Sequence, residues 1–159
     1  MTDTGALRML FARSRLFAGI EEQDFHVFVQ ALRHRNLAQG ETLFSAGEPG
    51  DYLAVVTAGK LRVSIPRGAG QQEDVGQIGP GDVIGEMACV DPAPRSATVT
   101  AVTNSEVLEL DRGTFTSIRA RAPAIFTGVM GGIIARTSDR LRDTINRIEV
   151  AFAALGVAP

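Results

Sequence analysis

The chain has 159 residues, a formal net charge of −2, 45% apolar and 21% charged residues, which suits one globular domain and excludes wholesale disorder. That charge balance supplies no basic field for non-specific nucleic-acid binding. The single cysteine, Cys89, excludes an internal disulfide or a multi-cysteine metal site, and no apolar run reaches the ~18 residues of a membrane span.

In chain order, residues 1–35 form an N-terminal helical segment. Leu7, Leu10 and Phe11 recur at helical spacing, Glu21 and Glu22 stand where a helix start favours carboxylates, and Phe25, Phe28, Val29 and Leu32 make one apolar stripe. Over residues 36–110 closely spaced glycines separate short runs of β character: 42–44, 52–57, 61–65, 75–78, 98–102 and 106–110. In the third run Leu61, Val63 and Ile65 alternate onto one face. Short strands with turn signals every 8–12 residues imply a β-sandwich, barrel or jelly roll. Helices return at residues 111–122, with Asp111 as N-cap, and at 123–155, where Pro123 suits a first turn. Leu141, Ile145, Ile148, Phe152 and Leu155 repeat every three or four residues along this last helix. A helix of that length outruns a small β domain, so the seam favours a parallel homodimer over the other reading, a helix packed back on its own domain.

Catalytic signatures are missing. Ala54 stands where a phosphate loop ending at Lys60 needs its first glycine. His26 and His34, read as solvent-facing helix residues, lack metal-ligand context. No nucleophile elbow occurs, and Gly68-Ala69-Gly70 reads as a turn. The expectation is a protein with no enzyme activity, catalytic residue, metal or cofactor. The N-terminus, Met1 to Gly5, lacks a signal peptide's basic and apolar regions. With the lone cysteine, this predicts a cytoplasmic location and neither membrane nor nucleic acid as partner.

The stretch that carries chemistry is Gly79 to Val99, GPGDVIGEMACVDPAPRSATV. Gly85 can admit a bound group close to the backbone, and Glu86 to Ala88 can open a helical turn. Arg95 offers a planar fork for a phosphate, Ser96 a hydroxyl and Ala97 an amide. Glu86 suits a ribose hydroxyl, and its charge would hold Arg95 in place. The residues alone admit two readings: a site for a small phosphorylated, ribose-bearing ligand, or a surface ion pair flanked by turn glycines.

GEMACVDPAPRSATV resembles the phosphate-binding cassette of the cyclic nucleotide-binding domain family, the sensor module of catabolite-activator regulators, kinase regulatory subunits and gated channels. Gly40-Glu41 with Phe44, Gly47-Glu48, Gly50-Asp51, Gly59 and Gly79-Pro80-Gly81-Asp82 extend the likeness, which covers roughly Phe17 to Leu155. The resemblance implies an α+β fold. An antiparallel β-roll (jelly roll) of about eight short strands carries a cassette at residues 84–97. N-terminal helices and a C-terminal helix pair flank it. It implies that Arg95, with Ser96, Ala97, Met87 and Ala88, takes the cyclic phosphate, and that Glu86 and Gly85 take the ribose. Val63, Ile65, Val75 and Ile78, with Arg136 or Arg140 from the long helix, would surround the base. Cys89 would be buried and inert. Cyclic AMP is favoured over cyclic GMP, although Ser96 permits a guanine contact. Binding would reposition the C-terminal helix and so signal to an unknown downstream protein. The alternatives are a non-binding module that keeps the fold, or the sensor fragment of a larger transcription regulator or channel.

Overall fold

The computed structural model describes residues 4–17, 19–68 and 70–156. Within them α1 (Thr4–Arg13), a 3-10 turn (Arg15–Phe17) and α2 (Glu22–Gln30) precede the strands. These are β1 (Arg33–Leu37), β2 (Thr42–Phe44), β3 (Tyr52–Ala58), β4 (Leu61–Pro66), β5 (Gln72–Ile78), β6 (Val83–Ile84), β7 (Thr98–Ala101) and β8 (Ser105–Asp111). A second 3-10 turn, Glu86–Cys89, lies between β6 and β7, and α3 (Arg112–Arg121) and α4 (Pro123–Ala154) close the chain.

Two four-stranded antiparallel sheets, ordered β1-β8-β3-β6 and β2-β7-β4-β5, face one another as a β-roll. β3 and β8 bury apolar residues on both faces because each face meets a different layer. Ala54, Val56 and Val107 pack between the sheets with Leu37, Leu43, Phe44, Leu61 and Val99. Leu53, Val55, Leu108 and Leu110 pack outward against the helices. There Phe11 stacks on Phe17 at 4.6 Å and meets Phe25 edge-on at 5.7 Å, tying α1, the first 3-10 turn and α2 together.

The helical segment is shorter than the sequence suggested, since α2 ends at Gln30 and β1 begins at Arg33. Arg33 to Leu37 pair with Glu109 to Ser105 of β8, and the charges across this ladder favour the strand. His34 therefore lies on a strand, with Nε2 3.4 Å from Glu106 Oε2. Gly68 and Gly70 turn the β4–β5 hairpin with positive φ, while Ala69 between them lies outside the described residues. The residues at the two chain ends, 1–3 and 157–159, also lie outside them, as does Ala18.

β3 runs from Tyr52 at one end of the roll to the tight turn at Gly59-Lys60 at the other. Gly59 has φ +83°, and a Cβ there would overlap Ser105. Lys60 is exposed, its carbonyl accepting the Val102 amide at 2.8 Å. At the helical side, Asp111 caps α3 by accepting the Thr114 amide at 2.8 Å. Pro123 stands in the first turn of α4, which is 32 residues long. Its first half buries Ile125, Val129, Gly132 and Ile133. In its second half Leu141, Ile145, Ile148 and Phe152, and just beyond it Leu155, are each at least 40% exposed. No helix among the described residues is long and apolar enough to cross a membrane.

Candidate functional site

The cassette is built where β6 ends. Gly85 adopts φ +74°, and a Cβ on it would overlap Arg95 Nη1, so glycine is required both for the turn and for the room it leaves the guanidinium. The chain then makes the 3-10 turn Glu86–Cys89 and returns through Pro94 to Arg95. Backbone pairing fixes Arg95 from both sides: its amide donates to the Glu48 carbonyl at 2.8 Å, and its carbonyl accepts the Gly47 amide at 2.8 Å. The loop opposite, Gly47 to Gly50, thus serves as a splint for the arginine. Gly50 also brings it against the turn, since a Cβ there would stand 3.1 Å from Ala88 Cβ and from the Ala93 carbonyl.

These segments enclose a cavity of about 280 Å³. Gly85, Glu86, Met87, Ala88, Arg95, Ser96 and Ala97 all line it, joined by Arg140 of α4. Arg95 is 7% exposed, and its guanidinium lies 4.0 Å from the Phe44 ring centroid and 4.6 Å from that of Tyr52, a cation–π contact with two rings set edge to face. Nη2 donates to the Tyr52 carbonyl at 2.8 Å, Nη1 reaches the Gly85 carbonyl at 3.4 Å, and Nε has no hydrogen-bond partner. The Tyr52 hydroxyl donates to the Leu43 carbonyl at 2.9 Å. Burial, and after it the charge of Glu109, raises this phenol above its ordinary value of 10.0, so it stays a donor.

Glu86 is 1% exposed. Its Oε1 lies 2.7 Å from Arg140 Nη1, close enough for an ion pair, yet neither carboxylate oxygen has a hydrogen-bond partner. The expected coupling of Glu86 to Arg95 is replaced by this one: the aromatic rings and two carbonyls hold Arg95, and the long helix supplies the counter-charge to Glu86. Cys89 is buried behind the turn, and that burial pushes its thiol up to about 12.

Other residues assigned to the base lie elsewhere. Val63, Ile65, Val75 and Ile78 do not line the cavity. Val63 and Ile78 pack against the core between the sheets, and Val75 is 44% exposed. The register explains this. Val63 pairs with Gly76 and Ser64 with Asp74, so Val75 is an extra residue in a β-bulge. The bulge breaks the alternation, and Ser64 is buried, its hydroxyl donating to Gln72 Oε1 at 2.7 Å. Arg136 stays outside the cavity as well, its Nη2 donating to the Val83 carbonyl at 2.9 Å. Burial and then the neighbouring charge of Arg140 pull its guanidinium below the ordinary value. Sequence reasoning did not assign Phe44 and Tyr52 to the site. Their signal was an aromatic on each of two strands that flank the cassette arginine. Among the described residues no group of three or more His, Cys, Asp and Glu could hold a metal ion.

Comparison with known proteins fits this geometry. The family model described as "Cyclic nucleotide-binding domain" matches residues 34–122, more than half of the chain. The "CRP-like cAMP-activated global transcriptional regulator" of Mycobacterium tuberculosis is 30% identical over 139 residues, covering 86% of this chain and 62% of that protein. "Patatin-like phospholipase domain-containing protein 6" of Homo sapiens is 31% identical over 92% of this chain but only 10% of its own length. A module of this kind thus also occurs inside proteins named for enzyme domains. The crystal structure of the N-terminal domain of a transcriptional regulator from Streptomyces coelicolor A3(2) superposes with a TM-score of 0.74 at 34% identity, covering 85% of this chain and 94% of that one. The chain spans about three-fifths of the mycobacterial relative and a tenth of the human one. With its β-roll, its cassette cavity and these matches, the chain belongs to the cyclic nucleotide-binding domain family.

Proposed function

We propose that the cavity is a cyclic nucleotide receptor site, that cyclic AMP is its preferred ligand, and that α4 carries the signal. The observation that supports this most is the buried Glu86 carboxylate, with two oxygens free of hydrogen bonds in the same cavity as a buried arginine with an unused donor. A buried acceptor without an aligned donor is costly, and a ribose hydroxyl would relieve it while Arg95 takes the cyclic phosphate. A cavity of about 280 Å³ falls just below the ~300–1,000 Å³ typical of drug-sized ligand sites, a size for one small ligand. The mycobacterial relative is named for cAMP, which supports cyclic AMP over cyclic GMP.

Arg140 supplies the mechanical link. It serves as the counter-ion of Glu86, so a ligand that engages Glu86 changes what holds α4 to the cassette. Ligand shifts α4 only as far as its affinities for the two helix positions differ. Downstream, the exposed seam of Leu141, Ile145, Ile148, Phe152 and Leu155 would join a second copy in a parallel homodimer, so that a helix shift becomes a change in the pair.

Titration calorimetry with cyclic AMP and cyclic GMP, on the wild type and Arg95→Ala, tests the site. Truncating a buried phosphate-paired arginine costs roughly 2–5 kcal/mol of binding. Undiminished affinity in the variant overturns the assignment. A wild type that binds neither nucleotide leaves the non-binding module in its place. Sedimentation tests the seam separately: a monomer at high concentration, with and without nucleotide, overturns the homodimer.

A further inference from the structure

α4 carries three glycines within five positions, Gly128, Gly131 and Gly132, each less favourable in a helix interior than alanine. Two of them have a steric reason. A Cβ on Gly132 would overlap the Leu16 backbone, and one on Gly128 would stand 2.6 Å from the Gly19 carbonyl oxygen and 2.7 Å from its carbon. Gly19 reciprocates, since its own Cβ would come within 2.9 Å of Gly128 Cα. Gly131, between them in sequence but on another face, meets nothing within 4 Å. The helix therefore docks backbone to backbone on the segment that contains Leu16 and Gly19.

This docking lies on the helix face that continues into the site. From Gly132, steps of four residues reach Arg136 and Arg140. Arg136 donates to the Val83 carbonyl, and Arg140 lies against Glu86. Thr137, beside them, places its Oγ1 3.5 Å from Met87 Sδ. Eight residues separate Gly132 from Arg140, a lever of about 12 Å along the axis.

We propose that Gly128 and Gly132 are positioning residues. The notch they form against Leu16 and Gly19 sets where α4 crosses the cassette and so holds Arg140 at Glu86. The N-terminal segment thereby becomes part of the unit that responds to nucleotide. The notch itself stands without the functional reading; only its response to nucleotide rests on it.

Hydrogen exchange on the full chain tests the notch first without ligand. Gly132→Ala raises exchange at least tenfold at residues 136–141 and at 16–20, and leaves β3 and β8 unchanged. Gly131→Ala, the same chemical change one position away, raises neither. Wild-type exchange in Gly132→Ala, or equal opening in Gly131→Ala, overturns the proposal. If Gly132→Ala does not fold, Gly128→Ala carries the same expectation with the milder overlap. The second test uses cyclic AMP. In the wild type it alters exchange at residues 16–20 together with 136–141, and a change confined to α4 overturns the coupling. Gly132→Ala weakens binding about tenfold alone but less than threefold in an Arg140→Ala background, because both act on one contact. Full additivity shows mere loosening and also overturns it. A wild type that binds no cyclic nucleotide removes the functional reading and leaves the ligand-free exchange to decide the notch.

Discussion

Two buried glutamates make an instructive pair. Glu109 on β8 is 2% exposed and Glu86 in the cassette 1%. Glu109 Oε2 accepts from Arg33 Nη2 at 2.6 Å and Nε at 3.1 Å, and Oε1 accepts from Arg35 Nη1 at 3.3 Å. Arg35 extends the chain of charges to Glu41 at 3.4 Å. Glu86 makes an ion-pair contact with Arg140 and has no aligned hydrogen bond on either oxygen. Burial alone does not distinguish the two; satisfaction of the lone pairs does. A saturated carboxylate locks β1 to β8, while an unsaturated one in a cavity holds capacity for a donor from outside.

The comparison breaks if the two residues respond alike. Glu109→Ala lowers unfolding free energy by about 2–3 kcal/mol, below the ~3–5 kcal/mol of wholly enclosed pairs because its arginines can turn to water. It leaves cyclic nucleotide affinity within threefold. Urea denaturation and calorimetry on one preparation give both values. Glu86→Gln reverses the pattern: stability stays within about 1 kcal/mol while affinity falls by about 1.5–3 kcal/mol, the size of a hydrogen bond to a charged group. Equal stability losses in the two variants would end the distinction.

A third carboxylate sharpens it at the weak end. Asp111 is exposed yet fully engaged, accepting both the amide and the hydroxyl of Thr114 at 2.8 and 2.6 Å. Burial pushes its pKa up, but the hydrogen bonds from Thr114, Gly113 and its own backbone together outweigh this and hold it below the ordinary 3.8. Its contribution is therefore present above that ordinary value and is lost as pH falls through the lowered one. Asp111→Ala costs about 1 kcal/mol at neutral pH, as for other N-caps. In acid denaturation series the gap between variant and wild type narrows below pH 3.8; a constant gap would assign the cost to something other than the cap.

The cassette was legible because it is local. Gly85 to Ala88 and Arg95 to Ala97 lie within thirteen positions, and one turn and one strand start bring all seven to the same cavity. The alternating strand at Leu61 to Ile65 was legible as a strand but not as a wall. A single bulge at Val75 shifts the register, and nothing in local alternation announces an extra residue on the partner. Arg140 was legible only as one of two arginines on a long helix. Which one meets Glu86 depends on the crossing angle of α4, and that is set by contacts at Leu16 and Gly19, more than a hundred residues earlier in the chain. Arg33 to Arg35 were read as helix because helical spacing precedes them, whereas their partners Glu106 and Glu109 lie across the ladder.

Lys60 has a practical consequence. It is the single lysine of the chain, exposed at the turn after β3, while the other end of β3, at Tyr52, carries the carbonyl that holds Arg95. At about 3.3 Å per residue that strand separates them by about 20 Å. Amine coupling through this side chain would tether the protein to a sensor chip by the pole opposite the cassette, so molecules attached there present their cavity to the flowing solution.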